Sequence, residues 1–259
     1  MTPEISIITV NFGSASKVKA LWKSLQEFSP SVSWEFVVVD NHSARNEGEE
    51  LETFLKDFEN AHVIKLARNT GFGVGNEEGI KFAKSEIIAI VNPDIEIQSG
   101  TFDELLKELR TEKVGILTPI METHDKNPLP NTWNFPSPLG LLSRRLFGKK
   151  ETIIPVETSP VEWAQGSFLM MQKSFFTETL KGFDHRYFLF LEDTDLCRRC
   201  WETGHRVLQV PTAKAFHGDK RLSGKGIWQS LKKKTFWIHI LSALKYFWKY
   251  RNKKHPDIF

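Results

Sequence analysis

Cysteine is almost absent from this sequence, and long apolar runs are absent altogether. Its 259 residues include two cysteines, Cys197 and Cys200, so it has no disulfide framework and a reducing compartment is predicted. A structural zinc site needs more ligands than two cysteines supply; we expect both to be buried packing residues, with a redox pair as the alternative. No stretch reaches the roughly 18 to 20 uncharged apolar residues of a spanning helix. The N-terminus has no basic region followed by an apolar run, so we predict no signal peptide.

Strong charge imbalance is also missing, because 35 Lys and Arg face 32 Asp and Glu for a net charge of +3. The basic residues nevertheless concentrate towards the C-terminus. Hydrophobic residues make up 40% and charged residues 26%, which are ordinary values for a globular protein. The length suits one large α/β domain or two small ones, and we find no internal repeat.

Short β-rich segments alternate with amphipathic segments over the first 122 residues. Strands are predicted at 4–10, 34–40, 61–67, 86–92 and 114–120, and helices at 16–28, 46–58, 77–84 and 101–110. Such alternation predicts βαβ units around a mainly parallel sheet with helices on both faces. Ligands of these sheets bind beyond the carboxyl ends of the strands. The candidate binding residues are the polar ones at those ends: Asn11, Asp40, Arg68, Asn69, Asn92 and Asp94.

The pattern changes after residue 122. Residues 123–140 are rich in Pro and Asn and predict a long loop, which in a compact domain is often functional. A further strand is predicted over 161–173. The stretch 188–204 starts apolar and becomes a polar helix that ends near Gly204, and a last strand is predicted over 205–211.

The glycine-rich stretch 69–79, NTGFGVGNEEG, is similar to a dinucleotide-binding loop. It follows a strand, precedes a helix and has an acid, Asp94, further along the chain. The third glycine position, however, holds Asn76 or Glu78, and a bulky acid there would crowd the helix against the strand. The stretch also does not follow the first strand. We interpret it as a loop and helix start whose backbone approaches a ligand closely.

Asp94 ends the segment VNPD, at the end of a predicted buried strand. A carboxylate there is well placed to hold a hard cation, since Mg²⁺ and Mn²⁺ are often bound by one or two carboxylates plus substrate phosphates. The alternative is a turn or N-cap residue, because Asn-Pro-Asp is also favourable turn chemistry. His217 follows the last strand beside acidic and basic residues, a mixture that suits a metal–diphosphate site, although a lone histidine is most often structural.

Three acids, Glu192, Asp193 and Asp195, stand within four positions at the end of an apolar run. Mutual repulsion and partial burial raise the pKa of at least one such carboxyl, which suits a general base. The alternative is an acidic helix N-terminus that is favoured by the helix dipole and paired with Arg198 and Arg199.

Five segments in this order resemble the successive motifs of family 2 glycosyltransferases. They are VVVDNHS at 37–43, RNTGFGVGNEEG at 68–79, VNPDIEI at 91–97, GFDHRYFLFLEDTDLCRRCWETG at 182–204 and VPTAKAFHG at 210–218. Each motif alone is weakly specific, but five in order are strongly so. The resemblance is greatest to the bacterial rhamnosyltransferase-like branch and covers about residues 5–220.

The resemblance implies a GT-A fold, with a nucleotide-sugar-binding half at 1–120 and an acceptor-binding half at 121–225, followed by a helical tail at 226–259. It implies inverting transfer of a sugar, rhamnose in this branch, from a dTDP- or UDP-linked donor to a glycan or lipid-linked acceptor, with Mg²⁺ or Mn²⁺ as cofactor. Asn92 stands where the family's DxD motif has its first acid.

The resemblance also assigns roles to residues. Asp193 corresponds to the catalytic base, with Glu192 beside it, and Asp40 to the acid that hydrogen-bonds the pyrimidine base. Asp94 and His217 correspond to the metal site. The implied nucleotide-sugar-binding residues are Asn11, Asp40, Arg68, Asn69, Gly71, Asn92, Asp94 and Arg198, and the implied acceptor-binding residues are Trp163 and Gly166, with core packing as the alternative for Trp163.

The tail at 232–254 combines Lys and Arg at both ends with a face of large apolar residues: Trp237, Ile240, Leu241, Leu244, Phe247 and Trp248. This combination favours a helix lying on an anionic membrane, which would place the protein on the inner face of the cytoplasmic membrane. Packing on the catalytic domain, a homodimer interface and nucleic-acid binding are the alternatives; we predict no nucleic-acid partner.

Two other functions compete with the transferase. A nucleotide-sugar-binding protein without catalysis, or a membrane-docked partner subunit, would bind nucleotide without turnover. A nicotinamide-dependent oxidoreductase would bind the dinucleotide instead. The intact LED segment at 191–193 argues against the first.

Overall fold

The computed structural model describes residues 2–138, 155–218 and 234–258. Its strands are β1 (Ile5–Asn11), β2 (Trp34–Asp40), β3 (Ala61–Lys65), β4 (Ile87–Val91), β5 (Ile95–Ile97), β6 (Val114–Glu122), β7 (Pro128–Leu129), β8 (Thr132–Trp133), β9 (Ser159–Pro160), β10 (Trp163–Ala164), β11 (Phe168–Gln172) and β12 (Arg206–His217). Its helices are α1 (Ala15–Glu27), α2 (Glu47–Leu55), α3 (Phe72–Phe82), α4 (Thr101–Leu109), α5 (Glu192–Glu202) and α6 (Lys234–Tyr250), with a π-helical turn at Phe175–Thr179.

One large mixed sheet runs through the domain in the order β3-β2-β1-β4-β11-β6-β12-β5. The first four strands of this order are parallel, β11 is antiparallel to both of its neighbours, and β12 is parallel to β6. The carboxyl ends of β1, β2 and β4 therefore lie at one edge of the sheet. The predicted α/β class, with a sheet that is parallel through its first half, is confirmed.

Both faces of the sheet are buried, because alternate residues of each strand pack against different helices. Ile7 of β1 faces the cluster that contains α1 and α4, whereas Ile8 faces the cluster that contains α5. In α1 the residues Val18, Leu21 and Leu25 recur at helical spacing on the sheet side, and all are fully buried. The predicted helices on both faces are thus confirmed.

Three predicted elements differ in detail from the observed ones. The segment 161–173 is two short strands rather than one, since Ala164 pairs with β8 while Phe168 pairs with β4. The Pro- and Asn-rich segment contains two short strands, β7 and β8. The last strand extends to His217, well past its predicted end, and β5 pairs with its final residues.

Helix α3 starts inside the glycine stretch, at Phe72 rather than at the predicted residue 77. Its glycines allow close packing on two sides. A Cβ at Gly79 would stand 2.6 Å from Ile8 Cγ2 and 3.0 Å from Val39 Cγ2 in the sheet, and one at Gly73 would stand 3.0 Å from Phe183 Cβ, in the segment before α5. The stretch is therefore a close helix–sheet contact more than an exposed loop.

Gly79→Ala should consequently lower the free energy of unfolding by about 1–3 kcal/mol, because overpacking outweighs the gain in helix propensity. Thermal and urea unfolding measure the change. Lys81→Ala, on the exposed side of the same helix, serves as the control and should shift stability by no more than about 0.5 kcal/mol. Equal stabilities for the two variants would contradict a tight contact.

Helix α6 packs on the α/β domain. Its inner face carries the buried residues Ser242, Ala243, Tyr246 and Tyr250. Tyr246 and Tyr250 cluster with Tyr187 and Leu191, just before α5. Among the helices that the structure describes, none has both the length and the apolar character needed to cross a membrane.

Candidate active site

Asn11 and Asp40 lie side by side at the carboxyl ends of β1 and β2, where the parallel register pairs them. The Asn11 side-chain amide donates to Asp40 Oδ1 at 2.8 Å and to Glu47 Oε2 at 3.0 Å. Asn11 is fully buried, whereas Asp40 retains a small exposed fraction. The contacts favour an orienting role for Asn11, which holds the Asp40 carboxylate, over the predicted direct contact with a ligand.

The loop after β3 is organised by Asn41, a residue that the sequence analysis did not single out. Its side chain donates to Asn69 Oδ1 at 3.1 Å and to the Gly71 carbonyl at 2.9 Å, and it accepts from the Thr70 amide at 2.8 Å. Asn69 Oδ1 also accepts from the Gly71 amide. Arg68 is exposed at the start of this loop.

Gly71 has a positive φ of 85° and makes a contact that no other residue would permit. A Cβ there would stand 2.1 Å from the Phe188 carbonyl oxygen, which accepts from the Phe72 amide at 3.0 Å. Gly71 therefore joins the start of α3 to the segment that precedes α5, which is a structural reason for this glycine beside its predicted ligand contact.

Asp94 and His217 are brought together by the antiparallel pairing of β5 with β12. Asp94 Oδ1 lies 3.5 Å from His217 Nε2, and Asp94 Oδ2 lies 3.2 Å from Lys17 Nζ. Burial alone would raise the pKa of Asp94, but His217 and Lys17 together hold it below its ordinary value. Lys17, in the first turn of α1, was missed because nothing in the sequence places it beside residue 94.

The donor set at this point is one carboxylate and one imidazole. Within the described parts of the chain, no three His, Cys, Asp or Glu side chains converge on a common point for a metal ion. A carboxylate that keeps its charge, with a nitrogen ligand beside it, fits Mg²⁺ or Mn²⁺ where a bound diphosphate supplies the remaining oxygens. Asn92 follows β4, and its backbone amide donates to the Ser167 carbonyl.

Asp193 stands in the first turn of α5 and is partly exposed. Its Oδ2 accepts from the Gly166 amide at 2.9 Å, and its Oδ1 accepts from the Thr194 amide at 2.7 Å. Burial raises the pKa of Asp193, and these hydrogen bonds limit the rise. A carboxylate with a raised pKa and an open side can accept a proton from a hydroxyl group.

Gly166 lies against Asp193 at the start of α5. A Cβ at this position would meet Phe72 at 3.1 Å and Asp193 Cβ at 3.4 Å, so the glycine permits the close approach of α5. Its amide orients the Asp193 carboxylate, as described above. These contacts give Gly166 a positioning role beside its predicted acceptor contact, which stays a prediction.

Glu192 is almost fully buried beside Asp193, and its Oε2 has no hydrogen-bond partner within the described structure. Burial first, and the charge of Asp193 second, raise the pKa of Glu192 well above its ordinary value. Such a group is held in its neutral, proton-carrying form more readily than Asp193. Of the two predicted acids, Asp193 is the one positioned to accept a proton.

The two residues before α5 form a strained elbow. Phe190 and Leu191 have φ values of 71° and 68°, in the left-handed region that large side chains avoid. Each such residue costs on the order of 1–3 kcal/mol and persists only where its surroundings hold it. The elbow therefore sets the start of α5 and the place of Asp193.

Arg198 lies in the interface with the C-terminal segment. Its guanidinium stacks 3.9 Å from the Tyr250 ring centroid and donates to Tyr246 OH at 3.3 Å and to the Lys254 carbonyl at 3.0 Å. The side chain is almost fully buried. These contacts favour a packing role for Arg198 over the predicted role in nucleotide binding.

Trp163 is partly buried at the rim of the second half. Its indole N–H donates to the Asn134 carbonyl at 3.0 Å, and its ring packs on Trp133 with centroids 4.9 Å apart. It also contacts the core cluster behind α5.

The neighbouring Cys197 and Cys200 are free and fully buried, as expected of packing residues. Phe12, beside Asn11, is 57% exposed at the sheet edge and was not singled out from the sequence.

The sequence model of the family described as Glycosyl transferase family 2 matches residues 6–180, more than half of the chain. A hexosyltransferase of low-salt glycan biosynthesis from Haloferax volcanii is 27% identical over 84% of this chain and 68% of its own length. A rhamnosyltransferase from Escherichia coli K12 is 25% identical over 93% of this chain and 92% of its own length.

A further relative is the N-acetylglucosaminyl-diphospho-decaprenol L-rhamnosyltransferase of Mycobacterium tuberculosis, which is 26% identical over 66% of this chain. The match spans 63% of that relative's length. Among solved structures, a mannosyltransferase from Pyrobaculum calidifontis in complex with GDP-mannose and Mn²⁺ superposes with a TM-score of 0.65 at 17% identity, over 99% of this chain and 66% of that one. At that identity the likeness establishes the GT-A fold.

Proposed function

The chain belongs to glycosyl transferase family 2, and we propose that it is an inverting enzyme that transfers rhamnose from a nucleotide diphosphate sugar to a hydroxyl group of its acceptor. The observation that carries this proposal is the Asp193 carboxylate. It is partly exposed, has a raised pKa and is oriented by the Gly166 amide. One base and one displacement at the anomeric carbon are sufficient for inverting transfer.

In the proposed reaction Asp193 accepts the proton of the acceptor hydroxyl as that oxygen attacks the anomeric carbon, and the bond to the nucleotide diphosphate breaks. Asp94 and His217 would hold a divalent ion, which when bound supplies positive charge to the departing diphosphate. Lys17 lies beside Asp94 and adds a second positive charge at the same place.

The donor nucleotide would bind over the ends of β1 and β2. Asp40, oriented by Asn11, supplies an acceptor for the N–H of a uracil or thymine ring, and both bases present that group. UDP- and dTDP-linked sugars are therefore the proposed donors, with Arg68 and Asn69 beside the nucleotide and Asn92 near the sugar.

The identity of the sugar and acceptor is proposed from the relatives. Two of the relatives described above are rhamnosyltransferases, and one of these acts, by its name, on an N-acetylglucosaminyl-diphospho-decaprenol. We propose rhamnose as the sugar, a glycan or lipid-linked acceptor, and a place in cell-surface polysaccharide synthesis. Trp163, at the rim of the acceptor-binding half, would contact that acceptor.

A transfer assay tests this proposal. The purified protein is incubated with dTDP-rhamnose, UDP-glucose, UDP-N-acetylglucosamine and GDP-mannose, each with an N-acetylglucosaminyl-diphospho-lipid acceptor, with Mn²⁺ or with EDTA. Release of dTDP together with a product of inverted anomeric configuration is the expected result. Nucleotide binding by calorimetry without turnover on any acceptor would favour the alternative, a nucleotide-sugar-binding or membrane-docked partner protein.

We also propose that the outer face of α6 rests on an anionic membrane at the inner side of the cell. Four large apolar residues form a stripe along this face, spaced by four, three and four positions: Trp237, Leu241, Leu244 and Trp248. All four are more than half exposed. Residues 220–256 contain eleven Lys and Arg and no Asp or Glu, which complements a negatively charged lipid surface.

Leu241→Glu combined with Leu244→Glu should weaken binding to vesicles of mixed phosphatidylglycerol and phosphatidylcholine by at least about tenfold. Each change replaces an apolar side chain that would be buried in the lipid with a charged one. Sedimentation with the vesicles measures the effect. The pair Gln26→Glu and Gln172→Glu alters the net charge equally at exposed sites and should bind as the wild type does.

Equal binding of the two double variants would contradict the membrane proposal. A concentration-dependent dimer, abolished by the Leu241 and Leu244 changes and seen without lipid, would instead identify the stripe as a homodimer interface.

A further inference from the structure

The inner face of α6 contacts the strained elbow that precedes α5. Ser242 Oγ donates to the Leu189 carbonyl at 2.9 Å, and Lys245 Nζ donates to the Arg186 carbonyl at 2.7 Å. Leu191, the second residue of the elbow, packs in the cluster formed with Tyr246. Two successive turns of α6 therefore contact residues 186–191, the segment that ends in the left-handed elbow.

A second set of contacts joins α6 to the first turn of α5 through Asp195, which is fully buried. Asp195 Oδ1 accepts from Lys249 Nζ at 2.5 Å and from Tyr250 OH at 2.8 Å, while Oδ2 accepts from Arg199 Nε at 2.8 Å. Asp195 is two residues from Asp193, within the same helical turn.

Lys249 also reaches the beginning of the elbow segment. Its Nζ lies 2.7 Å from Asp184 Oδ2. Burial would raise the pKa of Asp184, but hydrogen bonds from Arg186 and Lys249 hold it below the ordinary value. One lysine, only 15% exposed, thus ties together two acids that flank the elbow on either side.

The base depends on this arrangement because its hydrogen bonds come from different parts of the chain. The Gly166 amide, from the loop before β11, donates to Asp193 Oδ2 at 2.9 Å. A shift of the first turn of α5 would break that bond and rotate the carboxylate. The elbow is not held by its own backbone preference, since Phe190 and Leu191 have positive φ values.

We propose that helix α6 is a positioning element of the active site: through Ser242, Lys249 and Tyr250 it holds the elbow and the first turn of α5, and so places the Asp193 carboxylate. This inference rests on the proposed role of Asp193 as the base. It assigns to the C-terminal helix a part in turnover that is separate from any contact of its outer face.

Lys249→Met tests the inference, with Tyr250→Phe as a milder second variant. Lys253→Met is the matched control, since Lys253 also bridges the C-terminal segment to α5, but at Glu202 at the far end of that helix, 3.0 Å away. Misplacement of a catalytic group by about 1 Å can cost up to about 100-fold in rate. We expect Lys249→Met to lower kcat by about ten- to 100-fold, with the donor KM changed by less than about twofold.

A readout independent of activity accompanies the kinetics. Hydrogen–deuterium exchange at the Gly166 and Thr194 amides reports their bonds to Asp193. Exchange should accelerate about tenfold in Lys249→Met, less in Tyr250→Phe and not at all in Lys253→Met, while the amides of β4 stay protected in all three.

The outcomes distinguish a failure of the proposed transferase function from a failure of the inference about α6. A wild type that transfers no sugar defeats the proposed function, and the exchange data still decide whether α6 holds the carboxylate. Exchange at Gly166 and Thr194 that is the same in Lys249→Met and Lys253→Met overturns the inference, as does a parallel loss of kcat and donor affinity with general loss of protection.

Discussion

Replacing Asp193 with asparagine should lower kcat for sugar transfer by about 10²- to 10⁴-fold, the range that a positioned general base contributes. Asparagine has nearly the same shape but cannot accept the acceptor proton at neutral pH. It keeps one oxygen for the Gly166 or Thr194 amide, so the local backbone is retained. Donor binding, measured by calorimetry with the nucleotide diphosphate, should remain within about twofold, because the lost interaction forms only in the transition state.

The pH dependence of kcat, compared between the wild type and Asp193→Asn, gives a second measurement. Asp193 acts as a base only when it is deprotonated, so wild-type kcat should fall as the pH drops through its pKa. Burial raises that pKa, and the loss should begin above the ordinary aspartate range. The residual activity of Asp193→Asn should lack this acidic limb.

Stability separates a lost base from a damaged fold. A carboxyl whose folded-state pKa is raised above its unfolded value lowers the free energy of unfolding once the pH exceeds the unfolded pKa. The reason is that ionising this carboxyl is less favourable in the folded state than in the unfolded state. Asparagine carries no such cost, which offsets the loss of one of the two amide hydrogen bonds, so the melting temperature of Asp193→Asn at pH 7.5 should stay close to that of the wild type. Glu202→Gln, on the last turn of the same helix, is the control and should leave kcat unchanged. Full transfer activity in a folded Asp193→Asn protein would remove the assigned base.

Much of the fold could be predicted because periodicity determines it locally. The strand 34–40 was placed at its observed bounds, and the amphipathic segment 16–28 was placed within one residue of α1 at each end. The predicted helix α3 was too short. Glycine is unfavourable in helix interiors, and this local cost argued against a helix over residues 72–76. The compensation is tertiary: Gly73 and Gly79 let the helix approach Phe183 and Ile8, contacts that no local pattern contains.

The candidate site was predictable where a residue ends a strand and not where contacts join distant segments. The positions of Asp40 and Asp94 followed from strand ends in a parallel sheet. The approach of Lys17 to Asp94 depends on how α1 packs. Arg198 was assigned to the nucleotide from the family resemblance, and its contacts with α6 could not be predicted from the sequence.

In the C-terminal tail, the sequence pattern identified the exposed face of α6 but not the face that contacts the domain. Its large apolar residues were assigned to one face, and four of them do lie exposed. The face that contacts the domain carries serine, alanine and tyrosine instead, and the hydropathy pattern gave no weight to these residues. Lys249 was counted as a surface charge, whereas it is mostly buried between Asp184 and Asp195.

Asp94→Asn should lower kcat/KM by about 10³-fold, which corresponds to about 4 kcal/mol of lost charge stabilisation at the departing diphosphate. The carboxylate is the acid of the VNPD segment. By the resemblance to the family, Asn92 stands where a first acid would share the proposed ion. Because His217 and Lys17 hold the pKa of Asp94 below its ordinary value, the wild-type carboxylate is charged at any pH where the enzyme is assayed. Asparagine removes that charge and leaves the turn intact.

Nucleotide affinity supplies a readout that does not depend on turnover. Wild-type protein should bind UDP or dTDP more tightly in Mn²⁺ than in EDTA, and this difference should vanish in Asp94→Asn and shrink in His217→Ala. Lys17→Met is the informative comparison: it removes the other partner of Asp94, 3.2 Å away, yet leaves both proposed metal ligands, so it should keep the difference between Mn²⁺ and EDTA. If instead Lys17→Met loses affinity equally in both buffers while Asp94→Asn responds fully to Mn²⁺, the lysine and not a metal ion neutralises the diphosphate. That outcome would fit the replacement of the first acid by Asn92, since a site with one carboxylate beside a lysine can bind a diphosphate through its own positive charge.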